Sequence, residues 1–293
     1  MDSRAALPTT AADPLPSRFA SKRVHFIGIG GSGMNGLARI LLDCGALVSG
    51  SDPNPNAQTL ELMQRGIKVS RSQLGELLSP DVDLVVRTAA IPEANPEYLV
   101  ARRHGIKTIK YAEMLGLVMQ ERFGVAVAGT HGKSTTTAMI AHAMTSCGLD
   151  PSFVVGGTAP QLGGVGSRSG GGKVFVAEAC EYDRSFHNLR PTVALLLNIE
   201  EEHRDCYPDG IGEIVQAFRQ FAQLVPPDGL IIANGQDTFV GKALGDLPTP
   251  VEYVAVDREA DWSTRITGTE KGCFHGIVVY KGKNVATLRL SIA

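Results

Sequence analysis

The sequence lacks any paired cysteine spacing. Its five cysteines, Cys44, Cys147, Cys180, Cys206 and Cys273, are dispersed and odd in number. That excludes a disulfide framework and a Cys-rich zinc site, and it fits a reducing cytoplasm. No apolar run approaches the roughly 20 residues that a membrane helix needs. The first twenty residues, rich in Ala, Pro, Ser and Thr, also lack the apolar core of a signal peptide. Residues 1–21 are therefore expected to form a disordered tail. An excess of one charge is missing as well: 28 Lys and Arg stand against 30 Asp and Glu, a net −2. Such a balance gives no electrostatic footprint for nucleic acid or an anionic membrane. The expectation is a cytoplasmic protein with neither as partner. No internal repeat is present.

Glycine is plentiful, at 33 of 293 residues, and it falls in clusters, as phosphate-binding turns require. The length suggests two domains. Two strand-to-helix openings stand about a hundred residues apart. The first runs from Val24–Ile29 into a Gly-rich turn and then an apolar-periodic segment from Met34 to Cys44, with Gly45 as a C-cap. Strands are expected at residues 46–50, 67–69, 83–87 and 107–109, with helices between them. The second opening is Val125–Ala128, followed by a helix to about Cys147. Later strands are expected at residues 174–178, 193–198 and 230–234. The end of the chain reads as a hairpin around Lys281-Gly282-Lys283, and residues 163–172 as a Gly/Ser-rich surface loop. This alternation predicts an α/β fold: a Rossmann-like parallel-sheet domain over 22–115, then a P-loop α/β domain over 116–293. Tyr111–Gln120 would be the linking helix.

In the first loop, Gly28, Gly30, Gly31, Ser32, Gly33 and Met34 follow a strand and open a helix. A pyrophosphate can approach such a backbone closely and meet the amides of the helix N-terminus. Asp52, ending the second strand, is placed to bind a ribose or base. In the second loop, Gly129, Thr130, His131, Gly132, Lys133, Ser134 and Thr135 carry the end of a P-loop. Lys133 would reach the β- and γ-phosphates of ATP, and Ser134 would ligate Mg²⁺. The leading Gly of the generic pattern falls on Val127 here, which marks a compact variant.

Ala128–Thr137 closely resembles the ATP loop of the Mur ligases, with Ser134 where Thr is usual. The segments His25–Met34, Gly50-Ser51-Asp52, Tyr111–Leu115 and Asn198-Ile199-Glu200 resemble the alanine-adding branch of that family, in order and spacing. The resemblance covers residues 22–293. It implies that Gly28–Met34 and Asp52 hold the uridine diphosphate of UDP-N-acetylmuramate. It further implies that Glu178 and His203, with Ser134, hold Mg²⁺ or Mn²⁺. Lys133, Glu178 and His203 would then serve a two-step ligation. The substrate carboxylate attacks ATP to give an acyl phosphate, and the amine of L-alanine displaces phosphate from it. Two positions depart from the family: Cys180 replaces a common Asp, and Glu202 stands where Asp precedes the His.

Family members continue through an Asn-containing helix and a third domain. The central domain here is therefore expected to be incomplete at its C-terminal end, and the chain alone a poor ligase unless a separate C-terminal domain completes it. Two alternatives stay open: a ligase that recycles cell-wall tripeptide onto UDP-N-acetylmuramate, to which Glu181-Tyr182-Asp183 is similar, and a non-catalytic UDP-sugar and nucleotide-binding module. An NAD-linked oxidoreductase leaves the second loop unexplained.

Overall fold

The computed structural model describes residues 17–290. Most of the expected N-terminal tail lies outside them. Its last five residues do not fit the expectation, because Arg18–Ser21 form a turn and Phe19 is buried in the core. An aromatic ring at the tail's end gains more from burial than the short turn costs in entropy.

Parallel strands β1 (Arg23–Ile27), β2 (Leu47–Ser51), β3 (Lys68–Ser70), β4 (Leu84–Arg87) and β5 (Thr108–Lys110) build the first sheet. Their order is β3-β2-β1-β4-β5. Helices α1 (Ser32–Asp43), α2 (Ala57–Gln64), α3 (Pro96–Arg103) and α4 (Tyr111–Met119) connect them. Strand β1 is buried on both faces, so it reads as a near-continuous apolar run. Its one buried polar side chain, His25, has Nδ1 2.8 Å from Ser49 Oγ and Nε2 2.9 Å from Glu97 Oε1. Chain order reverses at β1, which puts the loop after it at the crevice of the sheet.

The second sheet starts with β6 (Phe123–Ala128), and α5 (Lys133–Ser146) follows it. Next come β7 (Ser152–Ala159), β8 (Val165–Arg168), β9 (Val174–Ala179), β10 (Val193–Leu196), α6 (Ile211–Ala222), β11 (Leu230–Asn234) and α7 (Thr238–Leu244). Strands β12 (Val251–Val256), β13 (Trp262–Glu270), β14 (Cys273–Tyr280) and β15 (Lys283–Arg289) end it. The order is β15-β14-β13-β12-β11-β10-β6-β9-β7-β8, parallel from β13 to β7 with antiparallel edges. The expected terminal hairpin is β14–β15. Residues 163–172, expected as a surface loop, contain β8, which pairs antiparallel with β7. The change of sheet comes after Met119, so the boundary expected at 115/116 falls inside α4.

The sheets meet through α1, whose outer face packs on β7 and β8. Gly36 makes that approach possible, since a Cβ there would lie 2.5 Å from Cβ and Oγ of Ser167. Among the described residues no helix is long and apolar enough to cross a membrane.

Candidate functional site

The first loop is tied together from within. The amides of Gly28 and Ile29 donate to Ser51 O at 2.8 and 3.0 Å. Asp52 accepts from Gly30 N at 2.7 Å and from Asn54 N at 2.9 Å, one amide to each carboxylate oxygen. Asp52, expected to meet a ribose or base, therefore clamps the loop onto the end of β2. Helix α1 then opens at Gly31 with no side-chain cap. Its first inward bond is Asn35 N to Gly31 O at 2.8 Å, so the amides of Ser32, Gly33 and Met34 precede it and are the ones left for a ligand. These residues line a cleft of about 290 Å³ with Thr88, Tyr111 and Asp183. The salt bridge between Lys110 Nζ and Asp183 Oδ2, at 3.1 Å, joins the two sheets' segments at this cleft. Burial, with Glu178 and Cys180 close by, pushes the Tyr111 hydroxyl far above its ordinary value and keeps it a neutral donor.

The second loop leaves the end of β6 and enters α5 at Gly132, whose φ of 82° is left-handed and suits glycine. Asn198, just past β10, braces it from both sides. Its side chain accepts from His131 N at 2.7 Å and donates to His131 O at 3.1 Å, and its carbonyl accepts from Thr130 N at 3.0 Å. Thr130 Oγ1 accepts from Glu200 N at 2.9 Å. Ser134 and Thr135 line a separate cleft of about 590 Å³ with His142 and Gly157.

Of the expected trio, Ser134 lies in the first turn of α5, Glu178 on β9, and His203 in the segment between β10 and α6. Glu178, on β9, turns toward β7 and accepts from Gly156 N at 2.5 Å. The group that can gather around one ion, with its ligand atoms within 4.8 Å of one another, is Glu181, Glu202 and His203. Chain geometry gives the reason. After β9 the backbone enters a 3₁₀ turn over Tyr182–Asn188, with Asp183 and Arg184 at φ of 51° and 50°. That turn tucks Glu181 inward, to 2% exposure. Tyr207 Oη donates to Glu181 O, and Phe186 anchors the turn between Phe218 and Phe221. His203, itself at φ 56°, stands edge-on to Tyr182 with ring centres 5.2 Å apart. Two carboxylates and one imidazole are a fitting donor set for Mg²⁺ or Mn²⁺, the imidazole favouring the latter.

Sequence reasoning missed Glu181 and Asn198 as site residues. Both lie two residues past the end of a buried strand, the signal that could have found them. At Cys180, exposed at one edge but with its thiol set among protein atoms, desolvation and then the carboxylates of Glu181 and Glu178 push the thiol above its ordinary value, against the backbone amide of Tyr182 and the pull of Lys133. The thiol therefore stays protonated and a poor nucleophile. The exposed Tyr182 hydroxyl is pushed up to about 12 by its hydrogen bond to Asp205.

Comparison with known proteins agrees with this architecture. Residues 23–123 match the profile described as Mur ligase family, catalytic domain, and residues 127–293 match the Mur ligase middle domain. The UDP-N-acetylmuramate–L-alanine ligase of Caldanaerobacter subterraneus is 42% identical over 273 residues, 92% of this chain and 59% of the relative. The chain thus spans less than two thirds of the length of that relative. Among solved structures, the UDP-N-acetylmuramate:L-alanyl-gamma-D-glutamyl-meso-diaminopimelate ligase of Neisseria meningitidis superposes with a TM-score of 0.81 at 30% identity, covering 94% of this chain and 89% of that one. The UDP-N-acetylmuramate–alanine ligase of Thermotoga maritima gives 0.77 at 25%, covering 92% and 61%. With two successive family profiles matched along nearly all of the described residues, the chain belongs to the Mur ligase family.

Proposed function

We propose that this chain carries the UDP-sugar-binding and ATP-binding parts of a ligase that joins L-alanine to UDP-N-acetylmuramate through an acyl phosphate. The observation that carries this reading is the Lys133 loop, set at the strand-end edge of a parallel sheet beside a buried acid and a histidine. The names of the curated relatives supply the amino acid and the sugar nucleotide. On this reading the first domain reaches through α4 and the second begins at β6. Gly28 to Met34 hold the diphosphate, with Asp52 keeping the loop in shape. Of the ATP loop Gly129 to Thr135, the amides from Gly132 to Thr135 cradle ATP, those of Thr130 and His131 being held by Asn198. Lys133 draws charge from the phosphates during attack. A divalent ion, when bound, neutralises the phosphates and orients the carboxylate. Glu181, Glu202 and His203 are the residues to hold it, with Ser134 and Glu178 on the β7 side. A cytoplasmic reaction fits substrates of this kind and the need for ATP.

One observation favours a second reading. The Neisseria tripeptide ligase superposes somewhat better than the alanine ligase from Thermotoga. ADP release with ATP, Mg²⁺ and UDP-N-acetylmuramate, measured for the chain supplemented with the C-terminal domain of an L-alanine-adding relative, separates the possibilities. Release that requires L-alanine is the expected result. Release only with the tripeptide L-Ala-γ-D-Glu-meso-diaminopimelate would replace it with the recycling reaction. No release while both nucleotides bind would make the chain a binding module.

A further inference from the structure

Lys133 is the side chain a triphosphate most needs, and it is already engaged. Its ammonium donates to Gly129 O at 2.6 Å, Thr130 O at 3.0 Å and Glu181 Oε1 at 3.0 Å. An ammonium has three protons, and all three are used. Glu181 Oε2 also stands 3.0 Å from the same nitrogen. The same Oε1 that accepts from Lys133 also faces His203 Nε2 at 3.6 Å, within a group that can gather around a divalent ion. One buried carboxylate thus has two claimants, an ammonium and a metal. Leaving it with neither is costly, because a buried charge without a partner keeps its full desolvation penalty.

We propose that Glu181 is a positioning residue that works as an exchange latch between Lys133 and the divalent ion. In the nucleotide-free chain it holds Lys133 turned back onto the carbonyls of its own loop. A triphosphate draws the ammonium away, and the ion takes over the carboxylate that Lys133 leaves. The inference rests on the nucleotide site proposed above and adds a coupling to it. Without metal, ATP must unlatch Lys133 and strand a buried charge. With metal, the exchange is neutral. Nucleotide and ion therefore strengthen each other's binding by one common factor. The backbone is built to hold the latch still. The left-handed pair Asp183-Arg184, the Tyr207 hydroxyl on Glu181 O and the stacked ring of Phe186 hold the backbone around Glu181, which is only 2% exposed.

The test is ATP affinity by calorimetry, in EDTA and in excess Mg²⁺, for the 293-residue chain and its Glu181→Gln and Glu181→Asp variants. Circular dichroism checks that each is folded. The unaltered chain should bind ATP at least about tenfold more tightly with Mg²⁺. In Glu181→Gln the metal-free affinity should rise about fivefold and the gain from Mg²⁺ should shrink by a similar factor. Glu181→Asp, one methylene short of Lys133, should show the same rise in smaller measure, and it decides the matter if the Gln variant does not fold. A fall by the same factor in both buffers would mean that Glu181 only supports the fold, and the latch would be overturned. Unchanged affinities would overturn it too. If the unaltered chain binds ATP in neither buffer, the nucleotide site itself is refuted and the latch with it.

Discussion

At the scale of single residues, the chemistry depends on which acid turns inward. Glu178 and Glu181 are three residues apart, yet one bonds β7 and the other meets Lys133. Lys133→Met should weaken ATP binding by at least about tenfold, since a charge-assisted bond to phosphate is worth about 1.5–3 kcal/mol. It should lower the melting midpoint as well, because buried Glu181 loses its ammonium partner. Unimpaired ATP binding in that variant would remove Lys133 from the site. Cys180 supports a second test. Its thiol is held above the ordinary range, so the reactive thiolate is scarce near neutrality and grows as pH rises through the raised pKa. Alkylation of Cys180 at pH 8 should run slower than that of a free cysteine peptide, measured by mass spectrometry of the labelled peptide. Faster labelling would contradict the protonated-thiol assignment. That the two glycine loops run from a strand into a helix, the second with Lys133 and Ser134 at the start of its helix, was legible in the sequence because local spacing alone defines such turns. Glu181 was not, because its role comes from two left-handed residues after it, and no local pattern reveals those.

Between strands and helices, the 3₁₀ turn after β9 is the element that sets the site. Phe186 is fully buried there, stacked on Phe221 with ring centres 4.9 Å apart and edge-on to Phe218 at 5.2 Å. Phe186→Ala should cost about 3–5 kcal/mol, read as a lower urea midpoint, and should weaken ATP binding along with it. An unchanged midpoint would show that the turn is held by something else. The strands around this turn were readable as apolar runs, β6, β9, β10 and β11 among them. The hairpin β7–β8 was not. Its second half is a Gly/Ser-rich run whose strand form is fixed by pairing with β7. Context of this sort overrides propensity in strands more than in helices.

For the molecule as a whole, two parallel sheets face each other across α1, and the first loop and the β7–β8 hairpin share that helix. Gly36→Ala should push Ser167 off α1, at a cost of roughly 1–3 kcal/mol, and Ser167→Gly in the same chain should restore most of the loss. Thermal melts of the two single variants and the pair would show it, and an absent rescue would put the strain elsewhere. The succession of two sheets was legible because each opens with a strand and a glycine turn. Its exact seam was not, since α4 packs as one helix across the expected boundary.

The central claim is that one chain holds a UDP-sugar and ATP at separate sites. Calorimetric titration of UDP-N-acetylmuramate and of ATP with Mg²⁺, singly and together, tests it most directly. The account requires each to bind one equivalent without displacing the other, and Lys133→Met to lose ATP alone. Mutual displacement, or loss of both ligands in that variant, would contradict it.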